Sequence, residues 1–498
     1  MNLGEVLAGV RLRRPLAAEL AKLPVTSLEY DSRRVKKDAL FFAFSGARAD
    51  GRSFAMQAVN AGAVAVASEM AAPGDFQGNW IEVAHGRQAL ALAARNFFNR
   101  PDERIALTGI TGTNGKTTTA YLVDSILRAA GNTTALIGTI EYHLGGRVIP
   151  AVNTTPESLD LYRVFAELDA MGGKFVTMEV SSHALALGRV YGAHFHTAVF
   201  TNLTRDHLDF HRTMEDYFAA KQLLFTGAGA PAPRFAAINR DDEYGARIKT
   251  GAETQTMWYG MGKDATVRAR HISSSFGGLR FEVQAGSDRI NIESALIGRI
   301  NVYNILAACC AGLSYGLPAD IIARGIAQCR AVPGRFERVD EGQPFVVVVD
   351  YAHTDDALRN VISMARSLEP KRVVTLFGCG GDRDRTKRPI MGQVAAELSD
   401  FVVLTSDNPR SEDPIDIMND VLVGLRRKDT PCLVEPDRAT AIRRAIEEAR
   451  PGDILILAGK GHETYQVLKD RTIPFDDREV AREVLRGFGY RPRPDASQ

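Results

Sequence analysis

A glycine- and threonine-rich stretch contains the residues best suited to phosphate chemistry. This phosphate loop reads Gly112-Thr113-Asn114-Gly115-Lys116-Thr117-Thr118 and lies between an apolar run from Ile105 and a helical pattern from Ala120 to Leu127. In a strand, turn and helix of this kind, backbone N–H groups and the helix N-terminus attract an anion. The lysine can reach the outer phosphates, and the threonine hydroxyl can bind Mg²⁺. The stretch therefore predicts nucleotide binding, with Lys116 and Thr117 in those two roles.

The glycine spacing of the loop departs from the common phosphate-binding motif. That motif has four residues between its glycines, whereas two residues separate Gly112 from Gly115, and Gly109 lies one residue too far upstream to restore the spacing. The alternative is a turn that merely precedes a lysine. The flanking strand and helix patterns favour nucleotide binding.

Three further polar clusters lie along the chain before residue 210. The second and third follow apolar runs directly, and ligands of open α/β sheets bind beyond the carboxyl ends of strands. Glu179 and His207 are therefore candidate Mg²⁺ ligands alongside Thr117. The clusters are Asn153-Thr154-Thr155-Pro156, Glu179-Val180-Ser181-Ser182-His183, and residues 201–209.

Two polar residues lie in helical patterns farther along the chain. Lys221 lies in the pattern 217–225, and on the residues alone a surface lysine that extends its amine to solvent is the favoured interpretation. Asn301 begins the pattern 301–308 and is predicted to cap that helix.

The last third of the chain reads as a parallel sheet with ligand-binding loops. Four apolar runs predict strands, and each ends in a polar or glycine-rich loop, so the loops should form a crevice. Arg383 and Arg410 carry planar guanidinium groups suited to carboxylate binding. The alternative for Arg410 is a surface ion pair with Asp407 or Glu412. The predicted strands are 345–349, 373–377, 401–404 and 454–457, and the loops are 350–353, 378–384, 406–410 and 459–463.

These elements predict an α/β protein of three domains. The 498 residues are too many for one core. We expect an N-terminal domain over 1–98, a central P-loop ATPase sheet over 99–333, and a C-terminal Rossmann-like parallel sheet over 334–498. Residues 1–98 lack catalytic clusters, and their polar turns 30–34 and 46–51 read as surface loops.

Charge and cysteine content exclude several classes of partner. With 61 Lys and Arg against 60 Asp and Glu, no general field favours nucleic acid or an anionic membrane. No apolar run is long enough to span a membrane, and no signal peptide is evident. The five cysteines lack zinc spacing, which indicates reduced thiols in a cytoplasmic protein.

The phosphate loop resembles that of the Mur ligases, and similar motifs occur in all three segments. The resemblance is to the branch of that family that adds meso-diaminopimelate. It implies a cytoplasmic, monomeric, amide-bond-forming ligase of peptidoglycan precursor synthesis. It also implies ATP, Mg²⁺ and UDP-N-acetylmuramoyl-L-alanyl-D-glutamate as ligands, and a CO₂-derived carbamate on Lys221, which reverses the surface interpretation of that lysine. Thr354-Asp355 stands where the family usually has Thr-Pro, and Leu187 where some relatives have a glutamine.

The same resemblance assigns roles to individual residues. Those expected to face the uridine diphosphate are Tyr30, Ser32, Ala47, Arg48 and Ala49. Those expected to hold the muramoyl-peptide are Asn153, Thr154, Thr155, Ser181 and Arg189. Those expected near ATP, besides the phosphate loop, are Asn304, Arg335 and His353. Those expected to form the diaminopimelate pocket are Arg383, Asp407, Asn408, Pro409, Arg410, Gly459 and Glu463.

The implied chemistry explains the metal ligands. A carboxylate is a poor electrophile, and phosphorylation by ATP turns it into an acyl phosphate that an amine can attack. Lys116 and two Mg²⁺ ions would neutralise the anions that meet in the first step. Thr117 and Glu179 would bind one ion, and His207 and carboxylated Lys221 the other.

Three alternatives remain open. An L-lysine-adding relative would share most of these motifs. A folylpolyglutamate-synthetase-like ligase would share the ATPase core but not the N-terminal uridine loops or Asp407-Asn408-Pro409-Arg410. A P-loop switch module would leave the C-terminal loops unexplained.

Overall fold

Residues 1–46 and 50–492 are described by a computed structural model of the chain. The chain divides into two units, each of mixed α/β structure. The first comprises Met1–Arg268, Gln284–Arg289 and Asn304–Gly325, and the second comprises Ala269–Val283, Ile290–Tyr303 and the chain from Ile326 onward. The domain limits 1–98, 99–333 and 334–498 stay a prediction.

The N-terminal part of the first unit is a four-stranded parallel sheet in the order β1-β2-β3-β4. Strand β2 is buried along its whole length, because apolar residues occupy all of its positions. Its strands are β1 (Ser27–Glu29), β2 (Ala39–Phe42), β3 (Ala63–Ser68) and β4 (Trp80–Glu82), and its helices are α1 (Leu3–Val6), α2 (Ala18–Ala21), α3 (Ala55–Asn60) and α4 (Gly86–Phe97).

In the central sheet of the first unit, β5 lies between β10 and β9. The strands from β5 to β12 have the order β12-β11-β10-β5-β9-β6-β7-β8, with all of these pairs parallel except those of β7. Its strands are β5 (Ala106–Thr111), β6 (Thr134–Ile137), β7 (Glu141–Leu144), β8 (Arg147–Pro150), β9 (Phe175–Glu179), β10 (Phe195–Phe200), β11 (Phe235–Asn239) and β12 (Gln255–Gly260). Its helices are α5 (Lys116–Ala129), α6 (Ser158–Ala170), α7 (Ser182–Leu187), α8 (Leu208–His211) and α9 (Met214–Thr226).

The segment 267–328 crosses the division between the units. It contains β13 (Val267–Ser275), β14 (Gly278–Ala285), β15 (Asp288–Ser294), α10 (Arg299–Ser314) and α11 (Ala319–Gln328). The prediction that Asn301 caps a helix is wrong, since α10 already begins at Arg299. The Asn301 amide instead donates to the carbonyl of Ile297, at 2.7 Å.

The second unit is built on a six-stranded sheet in the order β16-β17-β21-β18-β19-β20. The prediction of a parallel sheet is correct for five strands, while the short edge strand β16 is antiparallel. Its strands are β16 (Glu337–Val339), β17 (Val346–Asp350), β18 (Val373–Phe377), β19 (Phe401–Leu404), β20 (Cys432–Val434) and β21 (Ile454–Ala458), followed by the hairpin β22 (Tyr465–Val467) and β23 (Thr472–Pro474). Its helices are α12 (Asp355–Arg366), α13 (Lys387–Leu398), α14 (Pro414–Leu425), α15 (Arg438–Glu448) and α16 (Asp477–Gly487).

Both faces of this sheet are covered, which explains its continuous apolar strands. In β21, Ile454 and Ile456 belong to one hydrophobic cluster, and Leu455 and Leu457 belong to another. Successive side chains of a strand point to opposite faces, so a strand between two layers must be apolar throughout. In the described part of the chain, no helix has the length and apolarity that crossing a membrane requires.

Candidate active site

The phosphate loop joins the carboxyl end of β5 to α5, as predicted. Gly112 and Gly115 both have positive φ, at 149° and 87°. A Cβ atom on Gly112 would lie 1.9 Å from Thr201 Oγ1, and one on Gly115 would lie 2.4 Å from Asn304 Oδ1. The loop thus needs glycine at both positions. The N-cap residue of α5 is Gly115, which has no side chain to cap the helix, and a helix N-terminus of this kind attracts an anion.

Two residues of the strand-end cluster 201–209 hold the phosphate loop in place. Asn202 accepts the backbone N–H groups of Thr113 and Asn114, both at 2.9 Å, through its carbonyl and its side-chain oxygen. The Thr201 hydroxyl donates to the carbonyl of Asn114 at 2.6 Å. The cluster was noted in the sequence, but this supporting role depends on β5 and β10 being neighbours.

Two lysine amines meet at the phosphate loop. Lys116 Nζ donates to the carbonyls of Gly112 and Thr113, at 3.0 and 2.8 Å. Lys221 lies in α9 with a side chain only 1% exposed, and its Nζ donates to the Gly112 carbonyl at 2.8 Å. That amine also lies 4.4 Å from the centre of the Tyr217 ring. Burial, and then the charge of Lys116, hold the pKa of Lys221 well below its usual value.

Glu179, at the end of β9, is buried and hydrogen-bonded. Its two carboxylate oxygens accept the backbone N–H and the hydroxyl of Thr139, at 2.8 and 3.1 Å. A Cβ atom on Gly138 would lie 2.4 Å from Glu179 Oε1, so the turn approaches the carboxylate closely. Gly138 and Thr139 were not predicted, because nothing in the sequence of the turn after β6 marks it as support for a carboxylate.

The predicted muramoyl-peptide residues lie around the same strand end. The Thr155 hydroxyl donates to the carbonyl of Glu179 at 2.9 Å and accepts the backbone N–H of Ser181 at 3.0 Å. Arg189 donates to the Thr155 carbonyl at 2.9 Å and to Glu157 Oε1 at 3.0 Å. The Thr154 hydroxyl lies 3.1 Å from that of Thr139, and the Asn153 carbonyl accepts the Tyr142 hydroxyl at 2.5 Å.

His207 is the N-cap residue of α8 and has a positive φ of 53°. Its ring centre lies 4.9 Å from that of His183, and its Nε2 lies 3.4 Å from Asp206 Oδ2. Burial lowers the pKa of His207, which favours the neutral imidazole, the form that binds metal ions.

The oxygen ligands that the protein offers here suit a Mg²⁺ ion that is also bound by a phosphorylated ligand. Among residues 1–46 and 50–492, no three His, Cys, Asp or Glu side chains are grouped so that they could hold a metal by themselves. Mg²⁺ is commonly held by one or two carboxylates, waters and substrate phosphates. A threonine hydroxyl in the first turn of α5 and the buried Glu179 beside the phosphate loop agree with that pattern.

The predicted uridine residues are only partly described. The Tyr30 hydroxyl donates to Asp160 Oδ2 at 2.5 Å, and the Ser32 hydroxyl donates to Gln57 Oε1 at 3.0 Å. Ala47, Arg48 and Ala49 lie outside the described residues.

In the second unit, the predicted amino-acid pocket surrounds the carboxyl ends of β18, β19 and β21. Asp407 and Asn408 are buried, and Asn408 Nδ2 donates to Glu463 Oε2 at 2.9 Å. Gly459 has a φ of 113°, and a Cβ atom added to it would lie 3.0 Å from Asp407 Oδ2. The structure therefore brings together the loops after β19 and β21, as predicted.

The two predicted arginines flank Gly380 in the loop after β18. A Cβ atom on Gly380 would lie 2.9 Å from Arg410 Nη1 and 3.8 Å from Arg383 Cγ. Arg410 Nη1 donates to the carbonyl of Gly381 at 2.7 Å, while the carbonyl of Pro409 packs against that same glycine. No carboxylate of the described residues pairs with Arg410, and Glu412, one of the alternative partners, instead binds Arg388 at 2.8 Å.

Arg335 and His353 meet at Tyr351, after β17. The Arg335 guanidinium lies 5.0 Å from the centre of the Tyr351 ring, and His353 Nδ1 lies 2.8 Å from the Tyr351 carbonyl. The adjoining Thr354-Asp355 turn is intact, since Thr354 caps α12 by accepting the N–H of Ala357.

Comparison with known proteins agrees with this geometry. Three family models match the chain: Mur ligase family, catalytic domain (24–98), Mur ligase middle domain (110–312), and Mur ligase, glutamate ligase domain (334–461). A UDP-N-acetylmuramoyl-L-alanyl-D-glutamate–2,6-diaminopimelate ligase of Solibacter usitatus is 71% identical over 98% of this chain and 99% of the relative. A ligase of the same name from Geobacillus thermodenitrificans is 47% identical over 93% of this chain and 95% of the relative.

A solved structure extends the similarity to three dimensions. It is a structure of a UDP-N-acetylmuramoyl-L-alanyl-D-glutamate–2,6-diaminopimelate ligase, which is 30% identical to this chain, with a TM-score of 0.72. The superposition covers 98% of this chain and 99% of the other. Because close relatives match along nearly its whole length, the chain belongs to the Mur ligase family.

Proposed function

We propose that this chain is the ATP-dependent ligase that joins meso-diaminopimelate to UDP-N-acetylmuramoyl-L-alanyl-D-glutamate in peptidoglycan precursor synthesis. The observation that carries the proposal is the 71% identity, over 98% of the chain, to a relative named for that reaction. The chain acts as a monomer in the cytoplasm.

The phosphate loop and Lys116 bind the triphosphate of ATP. The N-terminal end of α5 supplies positive potential, and Lys116 lies near enough to the loop to shift from carbonyl acceptors to phosphate oxygens. Attack by the D-glutamyl carboxylate on the γ-phosphorus forms an acyl phosphate and releases ADP. The amine of diaminopimelate then attacks the acyl carbon, and phosphate leaves. Asn304, Arg335 and His353 contact the nucleotide.

Mg²⁺, when bound, neutralises the phosphate and carboxylate oxygens that meet in the first step. Thr117 and Glu179 would hold one ion, and His207 and carboxylated Lys221 would hold the other. The low pKa of Lys221 supports the modification, because a neutral amine can add to CO₂. In that reaction a bond forms between Nζ and carbon, and one proton is released. The product is an anion beside Lys116.

The substrates are held by the residue sets that the sequence predicted. The turn at 153–155, Ser181 and Arg189 hold the muramoyl-peptide, and Tyr30, Ser32 and residues 47–49 hold the uridine diphosphate. Arg383 and the loop 407–410, with Gly459 and Glu463, bind diaminopimelate. Arg410 supports the choice of diaminopimelate over L-lysine, since only the former offers a second carboxylate to a guanidinium group.

The test measures phosphate release from ATP with each component omitted in turn. We expect turnover only when the UDP-linked dipeptide and meso-diaminopimelate are both present. Release with L-lysine in place of diaminopimelate would indicate the lysine-adding alternative. Release with a folate substrate and glutamate would indicate the folylpolyglutamate-synthetase-like alternative, and release with no acceptor would indicate the switch module.

A further inference from the structure

A fully buried lysine lies between the two loops of the predicted amino-acid pocket. Lys460 has an exposed fraction of 0%, although it follows β21 in the glycine-flanked stretch Gly459-Lys460-Gly461. Its Nζ lies 3.0 Å from Glu463 Oε2, 3.2 Å from Asn408 Oδ1 and 3.6 Å from Asp407 Oδ1. An ammonium group is costly to bury, and here two acceptors bond it while the Asp407 carboxylate lies nearby.

These contacts determine how the Asn408 amide is oriented. Asn408 Oδ1 accepts from Lys460 Nζ and also from the backbone N–H of Val467, at 2.9 Å. Two donors at one atom require that atom to be the oxygen. The amide nitrogen must then point to Glu463 Oε2, to which it donates at 2.9 Å.

The same contacts leave one oxygen of Glu463 for a ligand. Oε2 accepts from both Lys460 and Asn408, while no donor in the described ranges bonds Oε1. By formal charge, Asp407 and Glu463 against Lys460 give these three side chains one net negative charge. That balance suits a single ammonium group of an amino-acid substrate.

The bases of both loops are held independently of Lys460. Arg438, which is fully buried, donates to the carbonyl of Ser406 at 3.2 Å and to that of Ala458 at 3.0 Å, and pairs with Asp477. Loss of Lys460 should therefore disturb the side chains of the pocket more than the strand ends.

We propose that Lys460 is a positioning residue that fixes the Asn408 and Glu463 side chains in the orientation that recognises the substrate's ammonium group. The inference rests on the proposed function and adds a residue to its amino-acid pocket. Loss of Lys460 should weaken amino-acid binding because it disturbs the position of Glu463.

The test compares steady-state kinetics of Lys460→Met, Lys460→Gln and Lys460→Arg with the wild type. Loss of a charge-assisted contact should raise the KM for diaminopimelate about 10- to 100-fold in the Met and Gln variants. The KM values for ATP and the UDP-linked dipeptide should stay within about twofold, and the Arg variant should recover part of the loss. An unchanged KM for diaminopimelate, or equal increases for all three substrates, would overturn the proposal.

A double-mutant cycle tests whether the effect passes through Glu463. We expect Glu463→Gln to raise the KM for diaminopimelate, and Lys460→Met to add less than about threefold in that background. Fully multiplicative effects would mean that Lys460 acts separately, and the proposal would be wrong.

Arg372→Met is the matched control for stability. Arg372 pairs with the buried Asp453 at 2.7 Å. These two residues directly precede β18 and β21, so the pair lies at the end of the sheet opposite the pocket loops. It should lower the thermal midpoint without changing the KM for diaminopimelate. If none of the three Lys460 variants folds, as judged by circular dichroism, Lys460 serves stability and the proposal fails.

The wild-type assay separates this proposal from the function on which it rests. If the wild type ligates another amine, the proposed function fails and the same variants are compared with that amine. If it ligates diaminopimelate and the Lys460 variants do so equally well, only this inference fails. A wild type that ligates no amine overturns both.

Discussion

The Nζ atoms of Lys116 and Lys221 donate to the same oxygen, the carbonyl of Gly112, at 3.0 and 2.8 Å. Two ammonium groups at one acceptor would repel each other, and burial together with the charge of Lys116 holds the pKa of Lys221 well below its usual value. A neutral Lys221 relieves the repulsion, and its carboxylation would turn it into attraction. The pair therefore connects the phosphate loop to the modification proposed for α9.

Lys116→Ala should abolish acyl-phosphate formation while leaving the fold intact. The change removes the positive charge beside the transferring phosphoryl group, and we expect kcat to fall on the order of 10³-fold. Rapid-quench measurement of the acyl phosphate checks this, with exposed Lys174→Ala as the control. Near-normal turnover by folded Lys116→Ala would remove this lysine from the site.

Lys221→Ala should be inactive and partly rescued by added acetate or formate. A small carboxylate can occupy the space of the missing carbamate, whereas it cannot replace the cation lost in Lys116→Ala, which serves as the control. Phosphate release with and without acetate measures the rescue, and ¹³C NMR with labelled CO₂ detects the carbamate. Detection of an unmodified amine in active, Mg²⁺-bound enzyme would contradict the prediction.

Arg410→Ala should raise the KM for diaminopimelate on the order of 10²-fold, if the lost charge-assisted pair contributes ~3 kcal/mol. The KM for ATP should hardly change. Arg385→Ala is the control, because Arg385 lies in the adjoining loop and pairs with Asp420 instead. If the wild type used L-lysine as well as diaminopimelate, the assignment of this pocket would be wrong.

His196 should make the first unit less stable in mild acid. Burial, and then Arg234, lower the pKa of His196 from 6.5 to about 4. Between those values the unfolded chain takes up a proton that the folded chain does not, so the stability is present above pH 6.5 and falls as the pH drops toward 4. His196→Asn, which can keep the bond to Thr197, should show a smaller fall in thermal midpoint between pH 7 and 5. Exposed His271→Asn should behave as the wild type does, and an unchanged pH dependence in His196→Asn would refute the prediction.

The strands of the second unit were predictable because β-branched apolar runs mark them. Residues 373–377 and 401–404 were predicted with the bounds that β18 and β19 have. Strands β16, β20, β22 and β23 were missed, since each has only three residues and such short runs carry little pattern.

Lys221 shows what a sequence cannot reveal locally. In a helical pattern a lone lysine favours exposure, and only the resemblance to a family indicated otherwise. Its burial depends on Gly112, 109 positions away in the chain, coming to lie over α9. The role of Lys460 was not predicted for a similar reason, because its partner Asn408 is 52 positions away and the two loops meet only in the folded sheet.

The position of β21 in its sheet has a consequence for synthesis of the chain. Strands β17 and β18 both pair with β21, which lies between them although it is made last of the three. At about 5–20 residues per second, a ribosome needs several seconds to travel from β18 to β21. During that interval the nascent chain exposes strand edges that have no neighbour, which favours aggregation. A polypeptide released before Ile454 should therefore require chaperones or be degraded, and it could not assemble the amino-acid pocket.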